Sequence, residues 1–588
     1  MATTDVHMQL LGHAYVSDSA TRNNGLSGLA TLIETARRDA AAEGRATLLL
    51  DNGDLLQGTA LGSWAATQPV TASHPVAASL NAMGYDAIGL GNHDLDYGLA
   101  YLDAIAAHLD MPMICSNLQH DHPSALQSAA LVDCPVPDTA GDTLRVGVLS
   151  VLPEQTAVWN RHVLHRAATV TPALACVQAA IPRLRAQGAD LIVLLAHMGI
   201  DDPSGPAPPR DSALPLARIS GVDAIITGHT HRRFPGNDHR ADRDIDTDGG
   251  TLARCPASMP GYSGSDLAVL DLTLNRTGDE PWTVIGHISR LIPNTGAVAA
   301  APAVLAACKP AHDATRAHLA TPVATTPVTL QNYFSLAVPT APAELVARAK
   351  VLGVSRALAG TPEAALPLVA TASAHTAGGR EGPGNFLNIP AGDVLRRHIA
   401  GLDPYTNEVR AVRVTGATLH HMLEHAARIY TTLRPDAPAQ PLVDPRFPSF
   451  DFDTIYGLQY TIDPSRPPGQ RITSVLHDGR ALRMDQAFIL ATNQFRVAGG
   501  GGYPPAAQGD LLSCRRMPLS EAAIDALHAP GAMQWPVPKP WKLICATPRQ
   551  AMLATGPEAQ PFLTQIAEMA PHARGLDENG FLQIQITL

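Results

Sequence analysis

The sequence predicts an α/β protein built from two domains, and three observations carry that prediction. At 588 residues the chain exceeds what one hydrophobic core can hold, since cores stop growing near ~250–300 residues. Short uninterrupted apolar runs alternate with stretches of helical spacing through the first half, as expected for strands buried on both faces. Each of these runs ends at once in Asp, Asn or His. In sheets covered by helices, the loops beyond the carboxyl ends of the strands build the site. Four such loops carrying metal-ligand residue types point to one shared site.

Taken in order, Thr47–Leu50 ends at Asp51-Asn52-Gly53-Asp54, and Ala87–Leu90 ends at Gly91-Asn92-His93-Asp94. Leu191–Ala196 ends at His197-Met198-Gly199, and Ala224–Thr227 ends at Gly228-His229-Thr230-His231. Between them, Leu26, Leu29, Ile33 and Ala36 mark one face of a helix, and Val170–Leu184 reads similarly. Residues 295–325 are rich in Ala, Pro and Thr. Within them Val298–Leu319 is loosely helical, with Pro302 and Pro310 expected to interrupt it or confine it to shorter pieces. The predicted division is a first domain at 1–295, a linker helix at 296–325 and a second domain at 326–588. Beyond the linker, Val323–Leu458 mixes helices with short strands. Ile472–Thr492 reads as strand, turn at His477-Asp478-Gly479, and strand. Trp541–Cys545 and Phe581–Thr587 read as strands, with a helix at Glu558–Met569.

A hydrophobic fraction of 45% and a charged fraction of 16% exclude global disorder. The net charge of −11 argues against a protein that holds nucleic-acid polymers by neutralising phosphates, and leaves room for a local cationic pocket. The seven cysteines (Cys115, Cys134, Cys176, Cys255, Cys308, Cys514 and Cys545) lie far apart without a CxxC pair. Their odd number leaves a thiol unpaired, so they read as buried thiols rather than a disulfide framework. No apolar run approaches the ~18–20 residues that span a membrane. No secretory signal is visible ahead of the first motif, which begins at Asp5.

Five motifs carry the chemistry: Asp5-Val6-His7, Gly53-Asp54, Gly91-Asn92-His93-Asp94, His197-Met198-Gly199 and Gly228-His229-Thr230-His231. All offer oxygen or imidazole nitrogen and none uses Cys, a donor set that suits Zn, Mn, Fe, Co or Ni. Asp5 and His7 stand two apart, so an extended segment would point both the same way, and likewise His229 and His231. Glycines beside the ligands permit tight turns and close backbone approach. His13, His120, His122, His165 and His375 match no ligand position and read as surface or structural histidines.

The order and content of these motifs resemble the calcineurin-like metallophosphoesterases, and within them the 5′-nucleotidase family. The segment Thr3-Thr4-Asp5-Val6-His7-Met8-Gln9-Leu10-Leu11-Gly12 is similar to the branch of bacterial 2′,3′-cyclic-nucleotide 2′-phosphodiesterase/3′-nucleotidases. The resemblance implies a four-layer αββα metallophosphoesterase sandwich followed by a C-terminal α/β substrate-binding domain. It implies two divalent metal ions, drawn from Zn, Mn, Co and Fe. Asp5, His7 and His231 would hold the first, Asn92, His197 and His229 the second, and Asp54 would bridge them. His93 would face the phosphate, with Asp94 orienting its imidazole. In the second half, Phe450 and Phe495 would sandwich a nucleobase, with Phe447 or Phe452 as alternatives in the same stretch, and Arg380 would contact substrate. The family also implies closure of the second domain over the first by a hinge.

The implied reaction is hydrolysis of 2′,3′-cyclic nucleotides to 3′-nucleotides and then to nucleosides. The alternatives are a 5′-nucleotidase or related phosphomonoesterase, and a non-catalytic nucleotide-binding protein. The expected partner is a small-molecule nucleotide, with no nucleic-acid polymer and no membrane. Family habit places such proteins in the periplasm, whereas a genuine start at Met1 would place this one in the cytoplasm. Only Met1–Thr4 precede the Asp-x-His motif, which predicts a short first strand that positions Asp5 and His7 weakly.

Overall fold

The computed structural model describes residues 1–588 apart from 22, 122–123, 138–141, 165–166, 201–211, 279–280, 406, 436, 438–439, 446, 508, 513–516 and 530–538. His122, His165 and Cys514 therefore lie outside the described residues. The chain divides into two compact units, Met1–Ala317 and His318–Leu588.

In the first unit, β1 (Ala2–Thr3), β2 (Leu50–Asp51), β3 (Ala87–Gly89) and β4 (Met113–Ile114) run parallel in one sheet. Although β1 has only two residues, it is held on both edges. Ala2 pairs with Leu50 on one side and with Ala268 on the other, and the Met1 amino group donates to Leu48 O at 2.7 Å. The second sheet is centred on four mutually parallel strands, β5 (Thr143–Val151), β6 (Leu191–Ala196), β7 (Ala224–Thr227) and β8 (Cys255–Pro260).

The apolar runs earn their burial on both faces. Val146, Val148, Leu191, Val193, Leu195, Ala224 and Ile226 pack with Ala2, Leu50, Ala87 and Ile114 in the core between the sheets. The alternate residues Leu149, Val151, Ile192, Leu194 and Ile225 point outward to Val177, Ile181 and Leu184 of a covering helix. Helices α1 (Leu26–Ala42), α2 (Thr156–Trp159) and α3 (Ala173–Ala186) belong to this unit. Helix α1 buries Leu26, Leu29 and Ile33. The result is the four-layer αββα sandwich.

Helix α4 (Pro302–Leu319) departs from expectation, because Pro310 sits inside it without breaking it. An interior proline costs about 3 kcal/mol or more. Here Val304, Cys308, Ala311, Thr315 and Leu319 form a buried stripe along one face, and that packing outweighs the lost hydrogen bond.

The second unit holds a five-stranded sheet of mixed direction. Its principal strands are β9 (Leu368–Ser373), β10 (Val409–Thr415), β11 (Asp453–Tyr456) and β12 (Ala487–Asn493), in the order β11-β9-β12-β10, with Leu511–Leu512 beyond. Helix α5 (Ala341–Leu358) buries Leu345, Val346, Ala349 and Val354. The segment expected as one hairpin, Ile472–Thr492, serves two sheets instead. Ile472–His477 turns through Asp478 and Gly479, both at positive φ, to pair with Arg480–Ala481. The chain then leaves to become β12, paired on both edges. The region expected as a helix at Glu558–Met569 is a 3-10 segment, Pro557–Met569, with a kink at Ile566. The described cysteines are free, and Cys115, Cys134, Cys255, Cys308 and Cys545 are buried. Among the described residues no helix is long and apolar enough to cross a membrane.

Candidate metal centre

Strands β1, β2, β3, β6 and β7 deliver their ligand-type residues from their carboxyl ends, so the sheets bring five loops together. Two groups result. Ligand atoms of Asp5, His7 and His231 lie within 4.8 Å of one another, as do those of Asp54, His197 and His229. Asp54 Oδ2 also stands 3.7 Å from His7 Nε2 and 3.1 Å from His197 Nε2, so one carboxylate faces both groups.

The loops adopt a conformation that spacing alone did not anticipate. Asp5, His7, Asp54, His229 and His231 take φ of 50°, 49°, 57°, 69° and 56°. Left-handed backbone costs an L-residue roughly 1–2 kcal/mol, so five strained residues in one site mark a geometry imposed by the surrounding fold. The expectation that His229 and His231 point the same way fails for this reason: the backbone is not extended, and the two imidazoles enter different groups. Glycine makes the crowding feasible. A Cβ on Gly53 would lie 2.0 Å from Gly91 N, and one on Gly91 would lie 2.0 Å from Asp54 Oδ1.

Hydrogen bonds aim the imidazoles. His7 Nδ1 lies 2.8 Å from Gln57 O and His197 Nδ1 lies 2.8 Å from Asn52 O. A carbonyl only accepts, so each Nδ1 carries a proton and each Nε2 is the ring nitrogen left facing inward. His7 Nε2 and His231 Nε2 approach to 3.0 Å. Asn92 Oδ1 and His197 Nε2 are buried without a hydrogen-bond partner. Converging imidazole nitrogens, an orphaned amide oxygen and two buried carboxylates suit divalent cations, which calcineurin-like phosphoesterases hold in pairs.

Burial and charge pull these groups apart in acidity. Burial holds His7 down to about 4, and burial with the neighbouring His197 holds His229 down to about 3, so both are neutral ligands at pH 7. Burial also opposes charge on His197, but the carboxylates of Asp54 and Asp5 outweigh it and carry that imidazole up to about 10. Burial works against Asp5 ionising, but His197 and His231 overcome it and bring its carboxyl down to about 2.

The GNHD segment forms a 3-10 turn, Asn92–Leu95, and corrects one expectation. His93 Nδ1 pairs with Asp96 Oδ2 at 2.8 Å and not with Asp94. The turn places residues three apart on one side, whereas Asp94 points inward. Its carboxylate accepts the backbone N–H groups of Gly91, Asp54, Leu55 and Leu56 at 2.8–3.0 Å. Asp94 thus shapes the Asp54 loop. Burial and then the Asp54 charge raise its carboxyl to about 6. Burial opposes the His93 imidazolium, but Asp96 and Asp54 prevail and lift it to about 9. The i, i+3 spacing of His93 and Asp96 was the signal available in the sequence. The supporting carbonyls of Asn52 and Gln57 had none, because any residue carries a carbonyl.

In the second unit, Phe452 is 1% exposed and packs edge-on against Tyr430 and Trp541, which removes it as a ligand contact. Phe447 lies against the same core. Phe450 stays half-buried on the turn Ser449–Asp451, and Phe495 is 40% exposed. Arg496 ties their loops together. Its guanidinium grips Asp453 at 2.9 and 3.1 Å and donates to Gly500 O at 3.0 Å and to Phe450 O. Arg380 lies in the turn Gly379–Glu381, and its side chain is outside the described residues.

Comparison with known proteins agrees with both units. Residues 1–233 match the calcineurin-like phosphoesterase family and residues 323–508 match the 5′-nucleotidase C-terminal domain. The 2′,3′-cyclic-nucleotide 2′-phosphodiesterase/3′-nucleotidase of Salmonella typhimurium is 30% identical over 85% of this chain and 81% of its own length. The trifunctional nucleotide phosphoesterase protein YfkN of Bacillus subtilis is 29% identical over 86% of this chain, which spans only 36% of that relative. A Staphylococcus aureus structure solved with α-ketoglutarate shares the fold over 92% of this chain and 98% of its own, at TM-score 0.72 and 22% identity.

Two outcomes test the site. A metal ion must displace the proton that Asp54 and Asp5 hold on His197. Below about pH 10, uptake should therefore release protons, and affinity should rise by about tenfold per pH unit between pH 6 and 8.5. Calorimetry in buffers of different ionisation enthalpy reads both, and pH-independent binding without proton release would contradict the assignment. Asp94→Asn sets an amide against four backbone donors, and should cost about 2–4 kcal/mol of stability together with bound metal. Asp96→Asn should leave melting and metal content unchanged. Equal behaviour of the two variants in melts and metal analysis would refute the separation of roles.

Proposed function

The chain belongs to the family of bacterial 2′,3′-cyclic-nucleotide 2′-phosphodiesterase/3′-nucleotidases within the calcineurin-like phosphoesterases, and we propose that it hydrolyses 2′,3′-cyclic nucleotides and then the 3′-nucleotides so formed. The observation that carries this reading is the shared carboxylate of Asp54 between two ligand groups, with His93 beside it. Asp54 Oδ1 accepts the backbone N–H of His93 at 2.8 Å, so the turn that carries the imidazole is anchored to the same carboxylate that faces both groups.

Divalent ions bound there supply Lewis-acid stabilisation of the charge that develops on the phosphoryl oxygens. Water adds to phosphorus, the bond from phosphorus to the ribose 2′ oxygen breaks, and that oxygen takes up a proton. The second hydrolysis breaks the bond to the 3′ oxygen and frees inorganic phosphate. With Nδ1 engaged by Asp96, His93 keeps Nε2–H for the phosphoryl group or the departing oxygen. The Asp96 carboxylate on Nδ1 favours the imidazolium over burial, the form a general acid requires. Phe450 and Phe495 offer a base two π-faces, which supports a nucleotide substrate with little base preference.

Chelated enzyme restored with Mn, Co or Zn should release phosphate from 3′-AMP, and from 2′,3′-cyclic AMP once its ring has opened, with 5′-AMP slow. A preference for 5′-AMP would reassign the chain as a 5′-nucleotidase, and no turnover with any metal would sink the hydrolase reading. Phe495→Ala should raise KM about tenfold, in line with ~1–3 kcal/mol of stacking, with kcat little changed. An unchanged KM would remove Phe495 from the substrate site.

A further inference from the structure

Two consecutive side chains at the end of helix α2 reach two different parts of the catalytic machinery. The Trp159 indole lies stacked on the His229 imidazole, with ring centroids 5.4 Å apart and planes 19° from parallel. The next residue, Asn160, is 2% exposed and donates from Nδ2 to Asp96 Oδ1 at 2.8 Å. Asp96 in turn uses its other oxygen on His93 Nδ1. One element therefore touches a metal-group imidazole through a ring face and the phosphate-facing imidazole through a carboxylate.

The element is well placed for this. Strand β5 ends at Val151, whose carbonyl accepts the His197 N–H at 3.0 Å, and α2 follows almost at once. Thr156 is fully buried, and its carbonyl accepts the Asn160 N–H at 2.9 Å. Trp159 is only half-buried and belongs to neither core of this unit's second sheet. Its ring is therefore not accounted for as core filling. A flat apolar plate over an imidazole restrains rotation of the ring without competing for its lone pair. Asn160 is a neutral donor, so it fixes the Asp96 carboxylate without cancelling the charge that His93 needs.

We propose that Trp159 and Asn160 are paired positioning residues, Trp159 seating His229 for metal and Asn160 holding Asp96 so that His93 is aimed at the phosphoryl group. The second arm rests on the hydrolase reading above. The two arms predict separable defects. In the full chain, competition with a chromophoric zinc chelator should show Trp159→Leu weakening one of two sites by about threefold to tenfold, with Trp159→Phe recovering most of the loss. Asn160→Ala should leave both affinities within about twofold and, at saturating metal, lower kcat by about tenfold with KM unchanged. Bis(4-nitrophenyl) phosphate serves as substrate beside the nucleotides. Wild-type affinities in Trp159→Leu would overturn the first arm. Full kcat in Asn160→Ala, or metal loss equal to that of Trp159→Leu, would overturn the second. Turnover of the aryl ester without any nucleotide would sink the nucleotide reading and leave this test standing. No turnover of either would take the second arm down with the hydrolase reading. Should Trp159→Leu not fold, indole emission decides: Co²⁺ should quench the wild-type signal but not that of Trp159→Phe, and equal quenching would overturn the first arm.

Discussion

Four carboxylates, those of Asp5, Asp51, Asp54 and Asp94, are buried to 1% exposure or less at the ends of neighbouring strands. Taking one such charge out of water costs several kcal/mol unless it is compensated, and here four are gathered. They are handled in three ways. Asp94 spends its charge on four backbone N–H groups. Asp51 accepts from Gly53 N and Thr3 Oγ1, and burial pushes its carboxyl well above the usual range. Asp5 and Asp54 keep their negative charge among imidazoles, and both are held below the usual range despite burial. That leftover charge is what the strained loops and the glycine contacts serve. Buried carboxylate charge gathered with inward-facing imidazole nitrogens is completed by cations.

The surrounding shell follows from the same constraint. Ligands at positive φ need restraint from outside their own loops, because the local backbone prefers to relax. The restraint comes as carbonyls on His7 and His197, as the Tyr262 ring stacked 8° from parallel on His231, and as the Trp159 ring on His229. The two imidazoles of the His229-Thr230-His231 segment thus each carry an aromatic plate. Neither His7 nor His197 does among the described ring contacts, and those two have carbonyl partners instead.

Much of this was legible from the residues, and the failures have physical causes. The strand ends were readable because Asp, Asn and His are poorly suited to continue a strand buried on both faces, so they mark where it stops. The fold class followed from the same runs, whose alternate residues divide between two cores. The reading of His229 and His231 failed because it assumed an extended segment, and strain is invisible in spacing. The resemblance paired His93 with the adjoining Asp94, yet in a tight turn the neighbour in space is three residues on, at Asp96. Phe450 could not be told from Phe452 in sequence, since the difference is a half-exposed turn against a full core. Trp159 carried no signal, because its partner lies far along the chain and only the second sheet brings them together.

The second unit settles its buried charge in the opposite way. Asp453 is as deeply buried as the metal-facing carboxylates, but Arg496 closes on it with two hydrogen bonds. Burial would raise the Asp453 carboxyl, and the guanidinium outweighs that and lowers it. With its charge internally balanced, this network leaves no demand for a cation. What it leaves open is flat apolar surface. Phe495 rests on Gly500 so closely that a Cβ there would fall 2.4 Å from the ring, which fixes the ring face without help from a ligand. Arg496 stands 5.2 Å from the same ring and 4.5 Å from Tyr503, adding rigidity by cation–π contact. The exposed face of Phe495 is thereby held apolar and rigid. The first unit is prepared for the reverse, with buried carboxylate charge and imidazole nitrogens left for cations.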